Sequence, residues 1–228
     1  RMTHIQRFRI SDKNEMDEQA FTFGQKPLIW IFGSSASGKT TLLERFRSLK
    51  ERTGCALLLL RDLEEIRKLM QEDTDEHFHR NLPNGDFQIT DSFIYEESLR
   101  RLCKRALRSM KMYHYIAIEV TCGKPLDVTV DITISTRLRT IPKALHPHST
   151  FVYINNPFMR RKQFNTGRPP ALRIPDALFC NYYGSDDFDE VRKNQPSLFH
   201  VIDNTCTIDS YLRNIDKWFF SHIQIPKK

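Results

Sequence analysis

The stretch Gly33-Ser34-Ser35-Ala36-Ser37-Gly38-Lys39-Thr40-Thr41 has the residue types and spacing to do chemistry on phosphate. Small residues between two glycines let backbone N–H groups turn inward around an anion. Lys39 supplies a mobile charge for the outer phosphates of a nucleotide, and the Thr40 hydroxyl suits Mg²⁺. All nine residues are therefore expected to hold ATP, with Thr40 also serving the metal. An ordinary Gly/Ser turn would explain neither the lysine nor the hydroxyl pair.

A loop of this kind works only between a strand and a helix N-terminus, whose free donors and partial positive charge face the anion. Both flanks are present. Pro27–Phe32 is an apolar run of strand length, and Thr41–Arg47 places Leu42, Leu43 and Phe46 on one helical face. Further strand signals lie at Cys55–Leu60, Tyr115–Val120, Val128–Ser135, Phe151–Ile154 and Leu198–Ile202. Helical signals lie at Thr40–Thr53, Leu63–Met70, Asp91–Met110 and Thr207–Ile223. The alternation predicts an α/β fold, a mostly parallel sheet flanked by helices, in one domain spanning residues 1–228. Residues 1–26, with a strand signal at Ile5–Ile10 and an acidic run at Asp12–Glu18, read as an N-terminal extension.

In such sheets ligands gather at the carboxyl ends of the strands. Asp62 follows the second strand, where its carboxylate suits the general base for an attacking hydroxyl, or equally the cap of the next helix. Glu119 follows Tyr115–Ile118 and fits either the magnesium shell or a surface strand end. After Phe151–Ile154 comes a cation-rich segment, about residues 157–176, with Arg160, Arg161 and Arg168. It reads as a basic lid that stabilises a transferring phosphoryl group and excludes water, or as a solvated loop. The 91–110 helix sets Arg100, Arg101, Lys104, Arg105 and Arg108 opposite its apolar face, a solvated face or a rail for a phosphate backbone. His77 and His79, after an acidic run, fit a surface loop better than a metal site. Leu212, Ile215, Trp218 and Phe219 form a core stripe on the last helix, and the loop before it, Asp203–Thr205, is a candidate neighbour of the adenine.

Composition narrows the classes. The 228 residues carry a net charge of +7, which favours an anionic partner. Five scattered cysteines without a paired motif fit reduced thiols, and no apolar run reaches membrane length. The basic N-terminus lacks a signal-peptide core, so a cytoplasmic location is expected, that of the host if the chain is phage-encoded. There is no Asn-Lys-x-Asp guanine reader and no Asp-Glu pair of the motor type.

With these residues in place the chain resembles the phosphate-loop kinases, and among them the polynucleotide kinase group, including bacteriophage kinases that act on 5-hydroxymethyluracil in DNA. The phosphate loop is common to the superfamily. Arg61-Asp62 with Arg67 is similar to the group's Asp-and-Arg element, although the spacing differs by two residues from the viral pattern. The segment 151–191 resembles its strand, Asn and lid, with Ile174-Pro175-Asp176 and Tyr182 matching. The resemblance implies ATP and Mg²⁺, Asp62 as base and Arg67 on an acceptor phosphate. It further implies transfer to a hydroxyl of nucleic acid, for which Arg101, Lys104 and Arg105 would supply backbone contacts. A nucleoside or nucleotide kinase is the alternative, ahead of an ATP-dependent binding or switch module. No protein partner is expected.

Overall fold

The computed structural model describes residues 26–82, 87–126 and 130–225. The N-terminal strand signal and acidic run lie outside them.

The chain begins with β1 (Leu28–Gly33), α1 (Lys39–Thr53), β2 (Leu57–Leu60) and α2 (Asp62–Glu72). A short antiparallel pair follows, β3 (His79–Asn81) and β4 (Phe87–Ile89), and then α3 (Phe93–Ser109) and β5 (Tyr115–Thr121). Next come α4 (Ile134–Thr140), a 3₁₀ segment at Lys143–His148 and β6 (Ser149–Asn155). The basic segment holds α5 (Phe158–Thr166), a 3₁₀ turn at Pro170–Leu172 and the start of α6 (Asp176–Tyr183). The chain continues through α7 (Phe188–Asn194), β7 (Phe199–Asp203) and α8 (Ile208–His222).

Five strands form one parallel sheet in the order β2-β5-β1-β6-β7. The expected α/β class is what the chain adopts. Period-two alternation on β1 sends Trp30 and Phe32 to one face and Ile29 and Ile31 to the other. The first face packs on α3 through Leu99, Leu102 and Ala106. The second packs on α1 and α8 through Leu42, Phe46, Ile215 and Phe219. Because β5 and β6 flank β1, the loop leaving β1 opens at the point where the strand order reverses, the crevice where such sheets bind ligands.

Several expectations need correction. The β-branched run Val128–Ser135 is not a strand where it is described. Asp131 accepts hydrogen bonds from the Thr133 N–H and from the hydroxyls of Thr133 and Thr136. Thr133 caps α4, and Asp187 accepts from the N–H groups of Ile134 and Ser135. Those local bonds outweigh the strand preference of the β-branched residues. Strand β5 runs on to Thr121, one residue beyond the expected Val120, so Glu119 lies inside the sheet rather than at its end. The basic segment is largely helical, interrupted at Gly167–Pro169 and Arg173–Pro175.

Candidate nucleotide and phosphoryl-transfer site

The loop between β1 and α1 is held open by backbone geometry and by clamps from distant strands. Ala36 and Gly38 have left-handed φ of 60° and 111°. At Gly38 an added Cβ would stand 2.6 Å from Asn204 Nδ2 and 2.9 Å from the Tyr211 ring, so only glycine fits. Asn204, after β7, donates to the Ser37 carbonyl at 2.8 Å, and the Tyr211 hydroxyl donates to the Gly38 carbonyl at 2.9 Å. Asn156, after β6, donates to the carbonyls of Ala36 and Ser37 at 3.3 and 3.2 Å. The Ser37 N–H donates within the loop to the Ser34 carbonyl at 3.2 Å, and with the carbonyls held from outside the other loop N–H groups can face a ligand. Asp203–Thr205 thus meets the phosphate loop through Asn204, a direct contact that the sequence reading did not specify.

Lys39 is buried and folds back on the loop, donating to the carbonyls of Gly33 at 2.7 Å and Ser34 at 3.0 Å. Near it lies Glu119, 6% exposed. Burial pushes the Glu119 carboxyl up and the Asp62 charge adds to this, against the pull of Lys39 and Arg61. Arg61 joins the two expected metal ligands. Its Nη2 donates to Thr40 Oγ1 at 3.1 Å, and its Nε to Glu119 Oε2 at 3.4 Å.

Asp62 opens α2 but makes no cap; Arg61 holds the capping position and offers no side-chain bond. The capping alternative is therefore wrong. The Asp62 carboxylate instead accepts from the N–H and hydroxyl of Thr121 at the end of β5, and lies 3.5 Å from Arg137 of α4. Arg137 also donates to the Tyr95 carbonyl, and burial pushes its guanidinium pKa down against the pull of Asp62.

The three lid arginines divide. Arg161 is committed to structure, donating to the carbonyls of Asn156 at 2.9 Å and Tyr183 at 2.7 Å. Its expected place among the catalytic groups is corrected on that ground: its donors anchor α5 to its surroundings. Arg168 is half-buried; burial lowers its pKa while Tyr183 and Glu119 hold its charge, so it lies within the field of the site. Arg160 lies 4.9 Å over the Phe164 ring, with a buried Nε that has no protein partner.

The rail is a second correction. The sequence places no acid among the five cations, but α2 and the first turn of α3 supply acids in space. Arg101 makes a two-point bridge to Glu72 at 2.7 and 2.8 Å, Arg100 pairs with Glu96 at 2.9 Å, and Arg105 reaches Glu65 at 3.5 Å. Arg67 is exposed on α2, about 140° around the helix from Asp62, so the two do not share a face. His79 is tied to Asp73 at 2.9 Å, and among the described residues no group of three or more His, Cys, Asp or Glu could hold a metal.

Sequence reasoning missed Asp186. It accepts from Ser34 Oγ at 3.1 Å and from the Tyr153 hydroxyl at 2.8 Å, joining the phosphate loop to β6. Beside it, the Tyr153 and Phe188 rings stack at 3.7 Å. The acidic pair Asp186-Asp187 after a glycine was the available signal. Arg137 left none, and Asn204 was reached only as part of the loop Asp203–Thr205.

The sequence matches no protein-family model and no curated protein. The fold does have solved counterparts. The Thermus thermophilus protein TT1252 superposes with TM-score 0.55 at 14% identity, over 88% of this chain and 99% of that one. A sugar kinase from Janibacter sp. gives 0.51 at 16% identity, over 86% and 93%. The APS kinase of Mycobacterium tuberculosis, solved with AMPPNP and APS, gives 0.53 at 12% identity, over 86% and 98%. The chain therefore shares the fold of these proteins, a five-stranded parallel α/β sheet flanked by helices. Among the described residues no helix is long and apolar enough to cross a membrane.

Proposed function

We propose that the chain is an ATP-dependent phosphotransferase that passes the γ-phosphoryl group to an alcohol of a small acceptor of the nucleoside or nucleotide type. The observation that carries this reading is the convergence of Lys39, Thr40 and Glu119 on a clamped glycine loop at the carboxyl edge of the sheet. Lys39 turns from the Gly33 and Ser34 carbonyls to the β- and γ-phosphates, which the loop N–H groups already surround. The donors suit a hard cation, since Thr40 and Glu119 are both oxygen ligands and already share a positive group, Arg61. Thr40 and Glu119 would hold Mg²⁺, which when bound neutralises charge on the phosphates.

Asp62 is the proposed base, with Arg137 as its buried counter-charge 3.5 Å away. Its Oδ1 accepts from the Thr121 hydroxyl at 3.2 Å, and the acceptor hydroxyl takes that place. The acceptor O–H proton passes to Asp62 as its oxygen bonds to the γ-phosphorus, and the bond to the ADP oxygen breaks. Arg160 and Arg168 stabilise the charge on the phosphoryl oxygens from the lid.

Two facts support a small acceptor over a polynucleotide. Three of the five α3 cations, Arg100, Arg101 and Arg105, are engaged by glutamates, and solved proteins of this fold include a sugar kinase and an APS kinase. A polynucleotide acceptor, including hydroxymethylated DNA, is the second reading. It rests on the +7 charge and the lid cations Arg160, Lys162, Arg168 and Arg173. Transfer of label from γ-labelled ATP to nucleosides, nucleotides, sugars, 5′-hydroxyl oligonucleotides and hydroxymethylated DNA separates the two. Label on free acceptors supports the proposal, and label on polymers alone supports the second reading. ADP release without any labelled acceptor would leave a hydrolytic switch.

A further inference from the structure

We propose that Arg61 is a built-in counter-cation for the nucleotide site, holding the place between Thr40 and Glu119 when no divalent ion is bound and letting the loop retain metal-free ATP. The inference rests on the nucleotide reading above and extends it to a residue with no role there.

The geometry is specific. One guanidinium spans the two oxygen donors, Nη2 to Thr40 Oγ1 at 3.1 Å and Nε to Glu119 Oε2 at 3.4 Å. An ordinary surface pair would gain little from such a bond, but Glu119 is sheltered from water, so a cation beside it matters. Lys39 does not fill this role alone, because its ammonium is engaged with the Gly33 and Ser34 carbonyls. A divalent ion would bond these oxygens at about 2.0–2.1 Å, leaving no room for a guanidinium on the same two atoms. Arg61 and the ion therefore exclude each other.

The side chain can leave. It is 30% exposed and springs from the residue that caps α2, whose backbone is extended. Displaced, it turns outward to solvent, which its exposure allows. Undisplaced, it offers the same charge to ATP that arrives without metal. The site then has two cationic states rather than one vacant and one filled.

Affinity of the intact protein for ATP, measured by titration calorimetry in excess EDTA and again in excess Mg²⁺, tests this for wild type, Arg61→Gln and Arg61→Lys. Wild type is expected to bind metal-free ATP within about tenfold of MgATP, a gap of about 1.4 kcal/mol. Arg61→Gln is expected to lose about tenfold or more in EDTA while MgATP affinity moves less than about threefold, and Arg61→Lys to recover part of the EDTA loss. With ATP bound, Mn²⁺ read by electron paramagnetic resonance should bind Arg61→Gln more tightly than wild type. Equal losses in both conditions would make Arg61 an ordinary phosphate contact and overturn the proposal, as would no loss in either. If wild type binds no ATP in either condition, the nucleotide site itself is wrong.

Discussion

Asp62 and Arg137 face each other at 3.5 Å with 0% and 1% of their side chains exposed, a charged pair sealed between α2 and α4. Such a pair is expensive to break from one side, because the survivor stays charged in a poorly hydrated place. Asp62→Asn should therefore cost about 3–5 kcal/mol of stability as well as activity. The double variant Asp62→Asn/Arg137→Met should be less destabilised than the sum of the single variants, since no buried charge is stranded. Denaturant unfolding of the four proteins checks this, and strict additivity would mean that the two groups are not coupled. Turnover of Asp62→Asn, measured at low temperature where it is folded, should fall by about 10²–10⁴ with ATP affinity little changed.

The phosphate loop separates charge from shape. Lys39→Ala removes the ammonium and its short apolar stem but leaves the loop backbone and its clamps, so the fold should persist while transfer falls by roughly 10³ or more. Gly38→Ala keeps the charge but forces a Cβ into Asn204 and Tyr211 at a backbone φ of 111°. It should displace the clamps and abolish nucleotide binding, with a modest loss of melting temperature because the core is untouched. Calorimetry with ATP and thermal unfolding together distinguish the two. A Gly38→Ala protein that bound ATP normally would contradict the clamped geometry.

Much of this was legible in the sequence for a simple reason. The strands are buried on both faces and so appear as continuous apolar runs, as in Leu28–Phe32, and the loop's glycines and lysine are contiguous. What remained hidden depends on contacts between distant residues. Asn204 and Tyr211 reach the loop from the last strand and helix, and Asp186 reaches Ser34 across 152 positions. The α3 cations looked unopposed because Glu65 and Glu72 belong to a different helix. At Ile134 the sequence favoured a strand on side-chain shape, and capping by Thr133 and Asp187 decided otherwise.

The engaged cations of α3 make a prediction about stability rather than binding. Arg101→Glu replaces a two-point bridge to Glu72 with repulsion, and should cost about 1 kcal/mol, or roughly 2–4 °C in melting temperature. The Michaelis constant for a small acceptor should not move, and should change little between low and moderate salt. A steep salt dependence shared by every polymer sequence would instead revive the rail.

Helix α8 is tied to α1 by Arg45, which donates to Asp216 at 2.6 and 2.5 Å. That bond holds the Asp216 carboxyl below its ordinary value, with burial opposing and the Arg45 charge assisting. A carboxyl depressed in the folded state binds fewer protons there than when unfolded. Its contribution is therefore complete above the unfolded pKa near 4 and is lost as pH falls toward the folded one. Asp216→Asn should lower stability at pH 7 by about 0.5–1 kcal/mol, discounted because the pair is partly exposed. The deficit relative to wild type should shrink as pH drops below 4. Melting curves from pH 7 to pH 3 would show it, and a constant deficit would exclude the ion pair as its source.

The reach of Tyr211 to the Gly38 carbonyl also bears on the order of events during synthesis. The two residues are 173 positions apart, so at about 5–20 residues per second the loop leaves the ribosome about 9–35 s before its clamp. Through that interval the nascent chain carries the phosphate-gripping residues without the groups that shape them. If the loop holds ATP as proposed, capture becomes available only when the last helix docks, and competence to bind then reports that the whole sheet has been completed.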